Sequence, residues 1–439
     1  MKFTFKGGIH PNGNKITADC RVKLFSTPKT VYIPMSQHIG APCIPIVKKG
    51  DRVLAGQKIG EVPEKALGAP VHSSVSGTVL KIEKVTDARG AQVEQIVIEN
   101  DFKNEVSPDV ISFPKKLSEA TTHEIIQIVK DAGIVGMGGA GFPAHAKMSS
   151  SIGKATTIIV NCVECEPYLT ANYRLMIERP HEIVNGVKIL MKALGIHNTI
   201  FAVEDNKPLA VKKLQKLTQN NDMMSVAVMK TKYPQGDERR IIDALTKQEL
   251  GRGKLPADLG CVIFNAETVS AIYTAFAKGL PSIYRIVTVS GSCVASPSNV
   301  LVPIGTRVRD LVDFCGGLIL PPHTIINGGP MMGNALWSPD SPVTKTTSGI
   351  ILLPVEEIQE KSDETACIRC GRCVRACPSR LMPCNIVSSQ KLGDYEDAEL
   401  YGAMDCIECG SCSFVCPARI PIVQYIRIAK GEIRKKGKR

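Results

Sequence analysis

The chain has 439 residues, of which 44% are hydrophobic and 22% charged, so it is neither disordered nor collagen-like and has apolar side chains for several domains. Its formal net charge is +12, but only 5% of its residues are aromatic, so nucleic acid is not an expected partner. The N-terminus, MKFTFKGGIHPNGN, lacks the apolar stretch of a secretory signal, and no run of 18 apolar residues occurs. We therefore expect a chain that is neither secreted nor membrane-spanning.

Residues 1–115 form the first predicted region, and within it residues 31–100 consist of short apolar runs bounded by turn residues. The segments VKKGDRVLAGQKIGEV and GAPVHSSVSGTVLKI resemble the two halves of a biotinyl or lipoyl-type barrel-sandwich hybrid. The hairpin that would carry the modified lysine in such a carrier reads HSSVS at residues 72–76 and contains no lysine. We therefore predict a small all-β packing module rather than a carrier domain.

The second region, residues 116–282, has an alternating pattern. A helix begins at Thr121, which can form a capping box with Glu124, and Gly133 ends it. Strands are then predicted at residues 156–160, 199–203, 225–229 and 261–264, and helices start near residues 180, 208, 238 and 267. This alternation is typical of a parallel sheet covered by helices on both faces.

Two further regions complete the chain. Residues 283–355 return to short strands and turns and predict a second small β-rich module. The acidic stretch EEIQEKSDET then opens residues 356–439, a cysteine-rich region with a last helix at about residues 420–433. The basic tail at residues 430–439 is either a solvated chain end or a docking segment for anionic lipid or an acidic partner.

Eight cysteines form two arrays with the spacing C-x2-C-x2-C-x3-C-P; Cys384 lies outside this spacing. The first array is Cys367, Cys370, Cys373 and Cys377, and the second is Cys406, Cys409, Cys412 and Cys416. In bacterial ferredoxins such runs hold two [4Fe–4S] clusters, and each cluster takes its fourth thiolate from the other array. We therefore assign Cys416 to the cluster of the first array and Cys377 to that of the second. Two four-cysteine zinc sites are the alternative, which the spacing disfavours.

A glycine-rich loop precedes the first predicted strand of the sheet. Residues 136–143 read GMGGAGFP, so Gly136, Gly138 and Gly141 match the G-x-G-x-x-G pattern of dinucleotide-binding folds. The loop follows a helix rather than a strand, so an ordinary Rossmann site is not predicted. Glycines still allow backbone N–H groups to approach a phosphate or a flat ring, and Lys147 adds charge nearby. The alternative is a flexible turn that binds nothing.

Polar residues also follow the predicted strands. Asn161, Glu164 and Glu166 come after the first strand, YPQGDE at residues 233–238 follows the third, and NAET at residues 265–268 follows the fourth. Open parallel sheets bind ligands beyond the carboxyl ends of their strands. We therefore expect these loops to converge on one crevice.

Together these segments resemble a known family. GMGGAGFPAHAK, NCVECEP, YPQGDE and FNAET, in this order, resemble the flavin and NADH loops of the 51-kDa flavoprotein subunit of respiratory complex I. The second β-rich module is similar to the soluble ligand-binding β-grasp domain that follows in the same family. With FKGGIHP near the N-terminus, the sandwich-hybrid module and the twin arrays, the whole chain resembles the C subunits of the Rnf ion-translocating ferredoxin:NAD oxidoreductases.

The resemblance implies a multidomain α/β fold: an N-terminal barrel-sandwich hybrid, a Rossmann-like FMN/NADH domain with a parallel sheet, a β-grasp module and a C-terminal helical dicluster ferredoxin domain. It implies that the following residues bind the cofactors: Gly136, Gly138, Gly139, Gly141, Phe142, Lys147, Asn161, Glu164, Glu166, Tyr233, Gly236, Asp237, Glu238, Asn265 and Thr268. Phe142 would stack on the nucleotide. No side chain is assigned a catalytic role, because FMN carries the hydride chemistry.

The resemblance also implies a function. FMN would exchange a hydride with NAD(H), and two [4Fe–4S] clusters would carry single electrons between FMN and ferredoxin. The expected partners are the other subunits of the complex, namely its membrane subunits, which couple electron flow to ion movement, and an iron–sulfur subunit that meets ferredoxin. The expected location is the cytoplasmic face of the cell membrane, in peripheral contact. The alternatives are a soluble FMN/iron–sulfur cobalamin reductase and a non-catalytic assembly subunit with structural clusters.

Overall fold

The computed structural model of the chain describes residues 2–87, 90–110, 113–358 and 363–436. Four modules follow one another along the chain in the predicted order. Within the described residues, no helix is long and apolar enough to cross a membrane.

The N-terminal region contains eight strands: β1 (Val22–Leu24), β2 (Thr30–Pro34), β3 (Ile44–Pro45), β4 (Arg52–Val53), β5 (Lys58–Glu61), β6 (Val71–His72), β7 (Gly77–Thr86) and β8 (Gln92–Asn100). Two antiparallel sheets, in the orders β2-β8-β7-β4 and β3-β5-β6, enclose one core. Ile33 and Ile98 from the first sheet pack with Ile59 and Val71 from the second. This is the predicted sandwich. The hairpin at residues 72–76 is buried, and Ser74 Oγ donates to a carbonyl of a later module, so it packs as predicted.

The second region alternates as expected: α1 (Thr122–Asp131), α2 (Ala144–Ser151), β9 (Thr157–Asn161), α3 (Ala171–Glu178), α4 (Pro180–Leu194), β10 (Asn198–Glu204), α5 (Pro208–Thr218), β11 (Met224–Met229), α6 (Glu238–Thr246), β12 (Cys261–Asn265) and α7 (Ala266–Lys278). The predicted capping box of α1 is present, because Thr121 Oγ1 accepts from Glu124 N and the Glu124 carboxylate accepts from Thr121 N. Helix α1 ends at Asp131, two residues before Gly133, which adopts a left-handed φ of 63°.

The sheet of this region has the order β11-β10-β9-β12, and all its pairs are parallel. Alternate residues of β9 face different cores: Ile158 and Val160 pack with residues of α4 and α7, whereas Ile159 packs with Ile241 of α6. Both faces are therefore covered by helices, as the near-continuous apolar strands predict. Loops occupy the edge of the sheet at the carboxyl ends of its strands.

The third module contains β13 (Tyr284–Ser290), β14 (Ser298–Pro303), α8 (Val308–Phe314), β15 (Thr324–Asn327), β16 (Asn334–Ala335) and β17 (Gly349–Leu353). Its sheet has the order β1-β14-β13-β17-β15-β16. The first strand is supplied by the N-terminal region, since Lys23 of β1 pairs with Val300 of β14. The sequence patterns did not predict this exchange, and the exact domain boundaries remain predictions.

The cysteine-rich module is helical: α9 (Arg372–Ala376), α10 (Pro383–Lys391), α11 (Tyr395–Leu400), α12 (Ser411–Phe414) and α13 (Ile422–Lys436). Helix α13 includes most of the predicted basic tail. Lys430 is buried, and its Nζ donates to Cys406 O at 2.9 Å, so this residue belongs to the domain core rather than to a loose tail. Residues 437–439 lie outside the described residues.

Candidate functional site

The carboxyl ends of β9 and β12 form the base of the candidate crevice. The two strands are parallel neighbours, and their last residues, Asn161 and Asn265, are paired in the register. The strand order reverses here, because β10 lies on one side of β9 and β12 on the other. Open parallel sheets bind ligands at such reversal points. The loops after β9 and β12 therefore meet at the sheet edge where this class of fold binds ligands.

The glycine-rich loop between α1 and α2 is anchored beside this crevice. Gly136 N donates to Phe142 O at 2.8 Å, which closes the loop. Met137 N donates to the buried hydroxyl of Thr268 at 2.9 Å. A Cβ atom at Gly138 would lie 2.8 Å from Asn265 Nδ2, so only glycine allows the loop to pack on the start of α7. The structure thus brings this loop and residues 265–268 together, as predicted.

The outer face of the same loop is open. Gly138, Gly139, residue 140 and Phe142 are exposed, and a Cβ at Gly139 would meet no atom within 4 Å. Nothing in the described part of the chain therefore explains why residue 139 is glycine. A ligand that lies against the bare backbone does explain it, because glycine permits close approach.

The glycine at residue 141 has a different explanation. Its φ is +77°, and a Cβ there would lie 2.9 Å from Thr346 Cγ2 and 3.3 Å from Gln37 O. These two atoms belong to the β-grasp and sandwich-hybrid modules. Gly141 is therefore explained by packing between modules, and a direct contact with a cofactor remains a prediction.

Lys147, in the helix that follows the glycine-rich loop, forms an ion pair. Its Nζ contacts Glu238 Oε1 at 2.5 Å and donates to Ile263 O at 3.0 Å. The same ammonium lies 5.9 Å from the centre of the Phe264 ring. Lys147 and Glu238 thus form a part-exposed ion pair that joins α2, α6 and the end of β12. Its charge is shared with a carboxylate rather than free.

The loop after β9 is tied to the loop that precedes α6. Asn161 Nδ2 donates to Gly236 O at 2.9 Å, and Gly236 N donates to Cys165 Sγ at 3.4 Å. Burial raises the pKa of the Cys165 thiol, so this residue acts as a neutral acceptor. Asn161 and Gly236 therefore lie together at the crevice, as predicted.

The Glu164 side chain packs against the start of helix α3. Its buried carboxylate accepts from Asn172 N at 2.9 Å and Tyr173 N at 3.2 Å, at the start of α3. Free N–H groups at a helix start attract a carboxylate. In this structure Glu164 holds α3, and its predicted contact with a cofactor remains a prediction.

Glu166 contacts the β-grasp module. Its carboxylate accepts from Met331 N at 3.1 Å and Met332 N at 2.9 Å, in the turn between β15 and β16. Burial raises the pKa of this carboxyl to about 7, although the two N–H donors oppose the shift. Glu166 therefore links the sheet domain to the β-grasp module by a group that titrates near neutrality.

Tyr233 and Asp237 face the cysteine-rich module. The Tyr233 side chain is buried, and its hydroxyl donates to Cys409 O at 2.7 Å. Asp237 is the N-cap of α6 and accepts from Arg240 N at 3.2 Å, while the Arg240 guanidinium donates to Pro378 O. Burial raises the pKa of Asp237. The YPQGDE loop therefore contacts the second array, and Arg240 of the following helix contacts Pro378 at the end of the first.

The N-terminal FKGGIHP segment completes this junction. Gly8 N donates to Ala376 O at 2.9 Å, and Ile9 forms two backbone hydrogen bonds with Tyr233. A Cβ at Gly7 would lie 2.5 Å from Cys377 O, and one at Gly8 would lie 2.5 Å from Tyr233 O, so the two glycines let the segment pack between the first array and the YPQGDE loop. The sequence contains the motif, but its partners lie hundreds of residues away.

Four cysteines surround one enclosed cavity in the cysteine-rich module. Cys377, Cys406, Cys409 and Cys412 line it and are termed the inner cysteine set. They are the four thiols predicted for the second cluster, including the one taken from the first array. Cys406 Sγ accepts from Glu408 N, and Cys377 Sγ accepts from Leu381 N, each at 3.3 Å. Backbone N–H···S contacts and an apolar wall fit an iron–sulfur cluster.

The remaining cysteines are termed the outer cysteine set: Cys367, Cys370, Cys373 and Cys416. Cys367 and Cys370 are exposed, and the other two are half-buried. Helix α9, which carries Cys373, packs on α12, which precedes Cys416. In the described ranges, no three His, Cys, Asp or Glu side chains are close enough to hold a single metal ion. The outer set is therefore the more exposed of the two, and its ligation of a cluster remains a prediction.

Three contacts around the site were not expected from the sequence. Cys384, outside the array spacing, contacts the thiol of Cys373. Ile39 N, in the sandwich-hybrid module, donates to Gly141 O at 3.1 Å. Lys15 Nζ donates to three carbonyls of the loop after β9, those of Glu164, Glu166 and Leu169, at 2.6–2.8 Å. The last two join different regions of the chain, and the first involves a cysteine outside the repeated spacing, so the sequence patterns do not predict them.

Comparison with protein families gives matches along most of the chain. Residues 3–103 match the RnfC barrel sandwich hybrid domain, and residues 129–274 match the Nuo51 FMN-binding domain. Residues 286–335 match the SLBB domain, and residues 359–417 match the 4Fe-4S dicluster domain. The predicted fold class is therefore confirmed, and the cofactors are FMN, two [4Fe–4S] clusters and NAD(H).

Three relatives are similar to this chain over most of their own length. The C subunit of the proton-translocating ferredoxin:NAD(+) oxidoreductase complex of Clostridium ljungdahlii is 43% identical, over 100% of this chain and 96% of the relative. The C subunit of the Na(+)-translocating complex of Acetobacterium woodii is 42% identical, over 99% and 98%. The C subunit of the ion-translocating oxidoreductase complex of Rhodobacter capsulatus is 40% identical, over 99% and 84%.

A solved structure shares the fold. The crystal structure of an NAD+-reducing [NiFe]-hydrogenase in the air-oxidised state matches with a TM-score of 0.51 and 19% identity, over 65% of this chain and 54% of that chain. At this identity the match concerns the fold alone. The identity to the relatives extends over essentially the full chain, so the protein is an oxidoreductase subunit and belongs to the C-subunit family of the ion-translocating ferredoxin:NAD(+) oxidoreductase complexes.

Proposed function

We propose that this chain is the NAD(H)-reactive electron-transfer subunit of a membrane-bound Rnf complex. It exchanges electrons with NAD(H) at one end and with the rest of the complex, and through it with ferredoxin, at the other. Partner subunits couple this flow to ion movement, and the chain lies at the cytoplasmic face of the membrane through contacts with them. The relatives named as ferredoxin:NAD(+) oxidoreductase subunits support this proposal.

The observation that carries the proposal is the contact between Tyr233 and Cys409. Tyr233 lies in the loop that follows β11, on the same edge of the sheet as the glycine-rich loop, and its hydroxyl donates to the backbone of an inner-set cysteine at 2.7 Å. Electron transfer needs a short, fixed distance between redox centres. A buried hydrogen bond between the two modules provides such a fixed junction.

The described residues fit FMN. The exposed backbone at Gly138 and Gly139 leaves room for a ligand, and neither residue tolerates a side chain without loss of packing or of that room. Asn161, Gly236, Asn265 and Thr268 would surround it, with Phe142 at the exposed edge. When bound, FMN accepts a hydride from NADH and releases electrons singly, which iron–sulfur clusters require.

The protein contributes orientation and shielding. The loop is closed by the bond between Gly136 N and Phe142 O and is fixed to α7 through Thr268. This rigidity orients the ligand before it reacts. The inner set lies in an apolar cavity, which limits access of water to a cluster there. No acid or base is required of the side chains at this site.

Anaerobic reconstitution with FMN, iron and sulfide tests the proposal. The loaded chain is expected to bind about one flavin, whose absorbance bleaches on addition of NADH. A chain that incorporates both clusters but no flavin would support a purely structural role for this subunit and contradict the proposal.

A further inference from the structure

The two cysteine sets differ sharply in their access to solvent. In the inner set, Cys409 and Cys412 are 6% and 7% exposed, and Tyr233 of the sheet domain packs against Cys409. In the outer set, Cys367 and Cys370 are exposed. An electron that enters through the sheet domain therefore leaves most directly through the outer set, which is the set that another protein can approach.

Two large apolar side chains near the outer set are exposed. Ile368, between Cys367 and Cys370, is 67% exposed, and Phe414 is 57% exposed. Phe414, Arg372 and Cys416 line one surface depression. Large apolar side chains that remain exposed next to a redox site are typical of a docking surface.

The same surface carries unpaired positive charge. Arg369, Arg372 and Arg375 are exposed, and none of them forms an ion pair within the parts of the chain that the structure describes. Neighbouring charges behave differently: Arg380 pairs with Glu249, and Glu364 pairs with Lys391. Unpaired arginines next to exposed apolar side chains complement an acidic protein surface.

We propose that this outer face, formed by Ile368, Arg369, Arg372, Arg375 and Phe414, docks an acidic, redox-active subunit of the same complex. The proposal rests on the proposed function, because the outer set must hold a cluster. A cluster held by the outer set would, when reduced, supply one electron, and an oxidised one-electron centre of the partner would accept it. No bond is broken and no proton moves, so the face needs only close approach and correct orientation.

A binding experiment tests this face without any need for NADH. The probe is the membrane complex purified without this chain, and the ligand is the full chain loaded with both clusters. The triple variant R369Q/R372Q/R375Q is compared with K48Q/K49Q/K65Q, which removes the same charge from exposed lysines of the sandwich-hybrid module. Iron and sulfide content and paramagnetic resonance verify the clusters in each variant.

At low salt, the arginine variant is expected to bind about tenfold more weakly than the wild type, while the lysine variant binds normally. The difference should shrink at high salt, where charges are screened within about 8 Å. F414S should weaken binding without altering the dependence on salt. Equal binding of the arginine and lysine variants to the membrane complex would overturn the proposal. It would also be overturned if the arginine variant bound the membrane complex normally and bound only soluble ferredoxin more weakly. Failure of the proposed function appears separately, as flavin that NADH does not bleach.

Discussion

The Tyr233 hydroxyl donates a hydrogen bond of 2.7 Å to the carbonyl oxygen of Cys409, and both residues are buried. The backbone of Tyr233 also pairs in both directions with Ile9. The N-terminal segment, a loop at the carboxyl end of the parallel sheet and the second cysteine array therefore form one hydrogen-bonded unit. This unit fixes the sheet domain to the inner cysteine set.

Removal of the Tyr233 hydroxyl should weaken this junction. Y233F leaves the buried Cys409 carbonyl without its donor, which costs about 1–3 kcal/mol of folding free energy. We expect a lower urea midpoint and faster loss of iron to a chelator, with flavin content unchanged. Y168F removes a tyrosine hydroxyl from a part-exposed bond to Glu357 and serves as the control. Equal effects of the two variants would contradict the assignment.

Gly7 should be essential for the inner cluster. In G7A the new methyl group would lie 2.5 Å from Cys377 O, at a φ of +78°. We expect reconstitution of about half the iron, because the inner set is disrupted and the outer set is not. G153A is a matched control, because Gly153 has a φ of +72° but open space around it. If G153A loses as much iron as G7A, backbone strain rather than the close contact is responsible.

A substitution at Gly139 tests directly whether FMN contacts the glycine-rich loop. A methyl group at residue 139 meets no protein atom within 4 Å, so G139A should not change the melting temperature in the absence of FMN. If FMN lies on this backbone, the FMN dissociation constant should rise about tenfold, which corresponds to about 1.4 kcal/mol. G138A, by contrast, should lower stability through its contact with Asn265. Unchanged FMN affinity in G139A would exclude this loop as the flavin contact.

Glu166 should make stability depend on pH. The pKa of its carboxyl is raised to about 7 in the folded chain, so the native state holds a proton that the unfolded chain has already released. Stability therefore falls as pH rises from the ordinary carboxyl pKa through 7. Because the group is half-buried and partly screened, we expect a loss of about 1–2 kcal/mol between pH 5 and 8. The unfolding free energy of E166Q should change less with pH over this range. A pH dependence identical to that of the wild type would contradict the assignment of the effect to Glu166.

Local patterns predicted much of this structure. The alternation of apolar runs and capped helices predicted the sheet domain, because the apolar strands and the Thr121–Glu124 box are local signals. The repeated spacing predicted the inner set, including the exchange of Cys377, because ferredoxin ligation follows directly from spacing.

Contacts between modules could not be predicted in the same way. Strand β1 has only three residues, and its partner β14 lies beyond the whole sheet domain in sequence. Glu164 and Glu166 sit in a loop that resembles a cofactor site, yet their carboxylates bind α3 and the β-grasp turn. The motif predicts a functional role for residues of this loop, but only the packed structure shows what each one touches.

An anaerobic NADH titration of the chain loaded with FMN and both clusters tests the central claim most directly. Flavin absorbance and cluster paramagnetic resonance are recorded on the same samples. We predict that the flavin bleaches and that reduced-cluster signals rise with added NADH. Clusters that dithionite reduces but NADH leaves oxidised, in protein that retains its flavin, would contradict the account.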